Sequence, residues 1–282
     1  MTSGVAGWSA ARRALCCILE KPPRGKAMPL EIVTVPCLKD NYAYLLRDAA
    51  SGTVGLVDAP EAAAVEAALK GKGWALDLIL ITHHHGDHID GVEALRKAHG
   101  AKVAGAAADR RRLPKLDIAL AEGDTVAVGE SVGRVLDVPG HTVGHIAYWF
   151  AEDHALFSAD SLMVMGCGRL FEGTPEQMWG SLMKMAALPD ETLVYSGHEY
   201  AESNTRFALS VDLENDALRQ RAKEIAAMRQ MVGATVPARL DLERTTNPFL
   251  RVGDGDFKAK LGLEGLPDAQ VFAEIRRRKD AF

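Results

Sequence analysis

Residues 78–88 read Leu78-Ile79-Leu80-Ile81-Thr82-His83-His84-His85-Gly86-Asp87-His88. An apolar run rich in isoleucine and leucine stops abruptly at ligand-type side chains. Such a run, bounded by turn residues, is the pattern of a fully buried strand. Loops leaving the carboxyl ends of buried strands are where α/β folds build their sites. Imidazole and carboxylate together suit zinc, iron or manganese better than calcium. One loop rarely completes a tetrahedral shell, so further ligands are expected downstream.

Three later segments repeat the arrangement. The strand-like stretch 134–138 ends in Pro139-Gly140-His141-Thr142, the stretch 155–158 is followed by Asp160, and 192–195 is followed by Gly197-His198-Glu199. Each time an apolar run ends and a histidine or aspartate appears within a few residues. His83, His85, Asp87, His88, His141, Asp160 and His198 are therefore expected to converge at one edge of a sheet core.

The spacing divides the set in two. Alternate side chains of an extended segment point the same way, so His83 and His85 can grip one ion together. Asp87 and His88 lie beyond Gly86, where the chain turns freely, and can reach a second. The expectation is one divalent ion on His83, His85 and His141, and another on Asp87, His88 and His198. Asp160 bridges them, with a solvent hydroxide in the remaining bridging position. Zinc leads among the metals, with iron and manganese as alternatives. His84 sits between two ligands and should face away. His145 competes for the His141 position, but His141 follows the Pro-Gly turn at the strand end whereas His145 opens the next apolar run. His99 and His154 read as surface turn residues. Metal coordination lowers the pKa of water from ~15.7 toward ~7 and polarises a carbonyl, so Asp87, His88 and Asp160 read as catalytic, and the reaction class is hydrolysis of an activated acyl or phosphoryl compound.

These motifs, with Thr142-Val143-Gly144-His145, make the chain resemble the metallo-β-lactamase superfamily. Within it the chain is similar to glyoxalase II (hydroxyacylglutathione hydrolase) over roughly residues 28–282. That narrower likeness rests on Pro36-Cys37-Leu38-Lys39-Asp40-Asn41-Tyr42, Gly166-Cys167-Gly168-Arg169-Leu170-Phe171-Glu172-Gly173-Thr174, Ser196-Gly197-His198-Glu199-Tyr200, Thr246-Asn247-Pro248-Phe249-Leu250-Arg251 and Ile275-Arg276-Arg277-Arg278-Lys279-Asp280. The resemblance implies an αββα sandwich followed by a smaller helical domain. It implies hydrolysis of S-(2-hydroxyacyl)glutathione, S-D-lactoylglutathione above all, to glutathione and a 2-hydroxy acid in methylglyoxal detoxification. It also assigns substrate contacts to Arg169, Phe171, Tyr200, Arg276 and Lys279. Many members carry lysine where Arg169 stands, and the family tyrosine is Phe171 here, so a phenolic hydrogen bond is lost. Two carboxylates on glutathione suit arginine, which can bind a carboxylate through two parallel hydrogen bonds.

The 282 residues, 48% hydrophobic and 25% charged, fit one large globular domain or two smaller ones. A net charge of −5 gives no support for nucleic-acid binding. No apolar run is long enough to span a membrane. Four cysteines, at 16, 17, 37 and 167, suit neither a zinc ribbon nor a disulfide framework; a cytoplasmic monomer is the simplest expectation. Cys167 reads as a packing residue, since no base partner is evident. Residues 1–27 are basic, with Arg12, Arg13, Lys21, Arg24 and Lys26 against Glu20. They read as an organelle-type presequence, a mis-assigned start or a genuine extra segment, in each case a largely disordered extension. The catalytic domain is expected over 28–200 and the helical substrate-binding domain over 201–282.

Along the chain, 43–47 and 53–57 suggest a hairpin, 61–70 a helix, 77–81 the strand feeding the ligand loop, 91–98 a helix beneath the site and 102–104 a short strand. Thr174-Pro175-Glu176-Gln177 is a helix start with a capping-box pattern, running to about Ala187. Helices follow at 202–209 and 215–231. Asp58 is either a partner for a ligand histidine or a helix cap. Two other enzyme classes share this fold: an iron-dependent persulfide dioxygenase, which would use one ion, and an RNA-processing nuclease, against which the acidic balance and the lack of a basic insertion argue.

Overall fold

The structure is a computed structural model that describes residues 30–282. The basic segment 1–27, for which a disordered extension is expected, lies outside the described residues.

Two mixed sheets of six strands each build the molecule, with strand orders β1-β2-β3-β4-β5-β6 and β14-β13-β10-β9-β8-β7. The first comprises β1 (Leu30–Cys37), β2 (Asn41–Asp48), β3 (Val54–Val57), β4 (Leu78–Leu80), β5 (Lys102–Ala106) and β6 (Ile118–Leu120). The second comprises β7 (Thr125–Val128), β8 (Ser131–Asp137), β9 (Ile146–Phe150), β10 (Ala155–Ala159), β13 (Leu193–Ser196) and β14 (Ala238–Arg239). A two-stranded hairpin, β11 (Leu162–Met163) with β12 (Gly166–Cys167), stands apart.

Period-two patterning decides what each strand face meets. On β10, Ala155 and Phe157 face the core between the sheets while Leu156 faces outward. On β9, Ile146, Tyr148 and Phe150 point inward and Ala147 outward. The outer face of the first sheet is covered by α1 (Ala62–Lys72) and α3 (Val92–His99), which insert Val65, Leu69, Val92 and Leu95. The outer face of the second carries α4 (Pro175–Ala186), started by the expected capping box of Thr174 and Gln177. The result is an αββα sandwich.

The chain after His198 forms α5 (Ala201–Val211), α6 (Asp216–Met231), α7 (Leu240–Thr246), α8 (Gly255–Leu261) and α9 (Asp268–Asp280). Phe249, Val271, Phe272 and Ile275 share one hydrophobic cluster with Leu136, Leu156, Leu182 and Val194 of the sandwich. This helical region closes no core of its own. The sequence reading missed β14, an edge strand paired antiparallel to β13 just after Pro237. Its two residues are too few for any periodicity. Among the described residues no helix is long and apolar enough to cross a membrane.

Strand direction brings the site loops together. β3 and β4 are parallel neighbours, and so are β10 and β13, so Asp58 and Thr82 leave side by side, as do Asp160 and His198. β2 runs antiparallel to β3 and β9 antiparallel to β10, which sets the β1–β2 turn and the 138–145 loop at the same edge. Cross-sheet bonds pin that edge. Tyr42 N donates to Gly197 O at 2.8 Å, Ile146 N to Thr82 O at 3.0 Å and Tyr148 Oη to Ile81 O at 2.7 Å.

Phe157 is fully buried, with ring centroids 4.9 Å from Tyr195, 5.5 Å from Tyr44 and 5.9 Å from Phe150. Phe157→Ala should cost about 3–5 kcal/mol of stability by equilibrium urea unfolding; a loss below about 1 kcal/mol would contradict this account of the core.

Candidate metal centre

Three ligand-type groups cluster at the sandwich edge. His83, His85 and His141 form one, Asp87, His88 and His198 another, each with donor atoms within 4.8 Å of one another. The first candidate ligands come from the loop after β4 and from a single helical turn, α2 (Gly86–Ile89), which carries Asp87 and His88. Sequence reading treated this stretch as a free turn after Gly86; the short helix is what rotates Asp87 and His88 away from His83 and His85.

Four of the five imidazoles, all but that of His85, are held from behind. His88 Nδ1 donates to Asp58 Oδ2 at 2.8 Å, His198 Nδ1 to Asp40 Oδ1 at 3.0 Å and His141 Nδ1 to the Arg169 carbonyl at 2.8 Å. Thr82 Oγ1 donates to Asp58 Oδ2 at 2.8 Å and so accepts from His83 Nδ1 at 3.0 Å. These bonds fix the tautomers that leave Nε2 as the donor toward a metal. Between the two reading options for Asp58, the structure selects partner over cap, because α1 begins after Glu61. Asp58 also lies near the ligand atoms of His83 and His88, but its oxygens are occupied by Thr82 and His88 Nδ1. It supports the centre rather than forming a third group.

The forward atoms face one another. His85 Nδ1 and His141 Nε2 are 3.0 Å apart, and His88 Nε2 and His198 Nε2 are 3.3 Å apart. Zinc–nitrogen bonds of about 2.0–2.1 Å at tetrahedral angles set two donors about 3.3 Å apart. Asp160 sits between the groups. One oxygen, Oδ2, is 3.4 Å from His141 Nε2 and 3.3 Å from His198 Nε2, while Oδ1 is 3.6 Å from His88 Nε2. Asp87 Oδ2 stands 3.4 Å from His198 Nε2 and accepts from Asn41 Nδ2 at 3.0 Å. His83 Nε2 and Asp160 Oδ1 are buried with no hydrogen-bond partner. Orphaned buried donors and acceptors are costly, and a cation at each group satisfies them. The residues fit two divalent ions.

The close packing needs glycine at two places. A Cβ on Gly197 would collide with Asp160 Oδ1 and come within 2.8 Å of His88 Cε1, and one on Gly168 would collide with the Asp160 carbonyl. Ala159, immediately before Asp160, has φ +41°, a left-handed backbone that alanine rarely adopts. The neighbours hold it there.

Electrostatics separates the groups. Burial holds His83 well below the usual histidine range, and burial likewise lowers His85 and His141; these imidazoles stand neutral. Burial also opposes charge on His88, but Asp160 and Asp58 outweigh it and hold His88 well above its ordinary value. His198 is raised on balance against its burial, by Asp160 and Asp40. Asp160, despite burial, is held well below the carboxylate range by His88 and His198.

His145 is not in either group. It stacks on His83 with centroids 4.6 Å apart and planes 13° from parallel, and its Nδ1 donates to the Ile146 carbonyl. His84 faces away, toward Asp109 and Glu172. His99 closes α3 against Glu66, and His154 occupies a left-handed turn. Sequence reading missed Asp40 and Asn41, although both stand in a quoted motif. Their role depends on β1 and β2 folding back beside His198, which no local pattern announces.

Of the expected substrate contacts, Phe171 lies exposed with its ring edge-on to His85 and His141 at 5.5 and 5.2 Å. Tyr200 stacks on His198 at 4.8 Å. Arg169 is exposed, and Lys279 is half-buried, its Nζ donating to Ser203 O at 3.1 Å. Arg276 departs from the expected open contact. It is 4% exposed, donates to the Cys167 carbonyl at 3.1 Å and to Asp280 at 2.7 Å, and covers the Phe249 ring. Burial first, then the charges of Arg276, Arg206 and Arg169, push Lys279 down to about 8. Arg206, an exposed residue that sequence reading passed over, thus belongs to the same cationic neighbourhood. Cys167 is a buried free thiol pushed up by burial to about 11, as expected of a packing residue.

Residues 40–198 match the family described as the metallo-beta-lactamase superfamily, and residues 199–282 the one described as hydroxyacylglutathione hydrolase C-terminus. Proteins named hydroxyacylglutathione hydrolase from Cereibacter sphaeroides and Ruegeria pomeroyi are 60% and 59% identical over 255 residues, covering 90% of this chain and all of theirs. Another of that name from Methylococcus capsulatus is 51% identical, over 90% of this chain and 99% of its own. Among solved structures, ETHE1 from Myxococcus xanthus aligns with TM-score 0.59 at 26% identity, over 89% of this chain and 98% of its own. TTHA1623 in a di-iron-bound form aligns with TM-score 0.57 at 27% identity, over 78% of this chain and all of its own.

Asp160→Asn should weaken both ions together, because one oxygen faces both groups; metal content unchanged after dialysis would contradict this. Ligation requires neutral imidazole, so in metal-free protein His88 and His198 must first give up protons that Asp160, Asp58 and Asp40 help them hold. Metal uptake near neutral pH should release protons, and affinity should fall as pH falls. Calorimetry in buffers of different ionisation enthalpy checks this, and uptake without proton release would overturn it.

Proposed function

The chain belongs to the hydroxyacylglutathione hydrolase (glyoxalase II) family of the metallo-β-lactamase superfamily, and from that premise we propose how its own residues carry the reaction. The enzyme hydrolyses the thioester of S-(2-hydroxyacyl)glutathione to glutathione and a 2-hydroxy acid. The water oxygen bonds to the carbonyl carbon, the carbon–sulfur bond breaks, and the thiolate leaves and takes up a proton. S-D-lactoylglutathione is the substrate chosen for the test.

His83, His85 and His141 would hold one ion, Asp87, His88 and His198 the other, and Asp160 both. Zinc is the preferred metal, with iron and manganese accepted by the same nitrogen–oxygen set. When bound, such a pair makes hydroxide available near neutral pH and polarises the thioester carbonyl.

The protein supplies orientation. Asp58, Asp40, Thr82 and the Arg169 carbonyl lock the imidazoles of His88, His198, His83 and His141, so these need no rearrangement at the moment of reaction. Asp87 is the exposed member of the ligand set, its side chain 43% accessible, and meets the substrate side. Phe171 forms an apolar wall beside His85 and His141 and Tyr200 a second beside His198. Between these walls the acyl carbon is set at the centre. Arg169, Arg206 and Lys279, with Arg276 buried beneath, form the cationic neighbourhood proposed for the glutathione carboxylates. The buried free Cys37 and Cys167 suit a cytoplasmic setting.

The observation that carries the reading is the complete second group, Asp87, His88 and His198, beside the match of residues 199–282. A persulfide dioxygenase using one iron would leave that group unfilled, and the C-terminal match is what favours the thioesterase over it. Metal-loaded protein should turn over S-D-lactoylglutathione without consuming oxygen in the presence of glutathione persulfide. Full metal content without thioester turnover would reject the substrate.

Lys279→Ala should raise KM about tenfold, the worth of one charge-assisted hydrogen bond, with kcat little changed. Lys279 is charged below about 8 and neutral above it, so the wild-type KM should climb as pH rises through that value and the variant's should not. A fall in kcat at constant KM would argue against this role.

A further inference from the structure

The hairpin β11–β12 has two residues in each strand. An isolated two-stranded hairpin is marginal in water, and this one turns through Met165 at φ +60°, left-handed backbone that a non-glycine residue resists. Its backbone is held by side chains from the C-terminal helices. Asn204 of α5 donates to the Val164 carbonyl at 3.0 Å. Glu243 of α7 accepts from Met165 N at 2.8 Å. Asn247, just after α7, donates to the Gly166 carbonyl at 3.0 Å and lies 3.4 Å from that of Met163. It is tied to Glu243 at 3.0 Å. Arg276 of α9 covers the Cys167 carbonyl. Asn204, Glu243, Asn247 and Arg276 are all buried, Glu243 and Asn247 completely.

Such a concentration of buried polar side chains on six residues needs a reason, because each is costly if left partly satisfied. The hairpin's two ends supply one. Asp160 and Ser161 enter it, and Gly168 and Arg169 leave it. Gly168 N donates to Ser161 O at 3.4 Å, and its α-carbon packs directly on the Asp160 carbonyl. The Arg169 carbonyl is the acceptor that fixes His141. The hairpin is thus a clasp whose closure sets both the carboxylate shared by the two groups and the tautomer of His141.

We propose that Glu243 and Asn247 are positioning residues of the metal centre. The helical region then builds the centre itself, in addition to contacting substrate. This rests on the metal reading of the site and not on the thioester, so a titration without substrate fails independently of the turnover assay.

The test strips metal from the full-length protein with a chelator and titrates zinc back against a competing indicator. Asn247→Ala and Glu243→Leu should each weaken binding of both ions by about tenfold, the size of effect seen when a residue behind a metal ligand is lost. Glu243→Gln, which keeps an acceptor oxygen for Met165 N, should recover most of the affinity. Phe272→Ala removes a buried ring from the same helical region with no bond to the hairpin. It should lower the melting temperature yet leave zinc affinity as in the wild type. Lys279→Ala should change KM and not zinc binding. If Asn247→Ala fails to fold, Asn204→Ala, which removes one bond to the hairpin, should show a smaller loss in the same direction. Wild-type zinc affinity in the folded Asn247 or Asn204 variants, or an equal loss in Phe272→Ala, would overturn the proposal.

Discussion

A single buried carboxylate organises this molecule. Asp160 Oδ2 faces both His141 and His198, and its partner oxygen faces His88. Taking a carboxylate out of water is expensive unless positive charge compensates. Without metal the compensation comes from His88 and His198, whose charged forms Asp160 favours; metal ions held there would supply it instead. Everything near Asp160 is arranged so that it cannot move away. Gly168 and Gly197 leave no room, Ala159 is held in left-handed backbone, and the adjacent parallel strands β10 and β13 end side by side.

The two halves of the site differ in how they are made ready. His83, His85 and His141 are kept neutral chiefly by burial, so they are competent ligands without any proton loss. His88 and His198 are paired to Asp58 and Asp40, which with Asp160 favour their charged forms, so a metal there would compete with protons. The same carboxylates that hold those protons orient the rings for ligation. Asp58 serves both halves, reaching His83 through Thr82 and His88 directly.

The C-terminal helices connect to this arrangement at two levels. Lys279, Arg206 and Arg276 gather positive charge beside Arg169. Deeper in, Asn204, Glu243 and Asn247 hold a hairpin that cannot stand alone. Glu199, next to His198, adds a third link, accepting from Tyr42 Oη and from Thr235 N, each at 2.7 Å. The helical region shares its core with the sandwich, so the residues proposed for substrate contact and those proposed as metal ligands are parts of one packed body.

The sequence by itself marked the ligand-type residues that the structure brings into two groups and the capping box at Thr174, because each is written in short local patterns, while the sandwich followed from the family resemblance. Strand-then-ligand order is local; which face of β10 takes Phe157 and which Leu156 was settled by the layers packed on it. Only the tertiary structure decided that Asp58 partners His88 rather than capping a helix, that Asp40 and Asn41 stand behind His198 and Asp87, that Arg276 is buried, and that β14 pairs with β13. These are contacts between segments 30 to more than 150 residues apart. Nothing local in composition or periodicity encodes which strand edges meet, because that choice is made by sheet order and by the packing of one layer on the next.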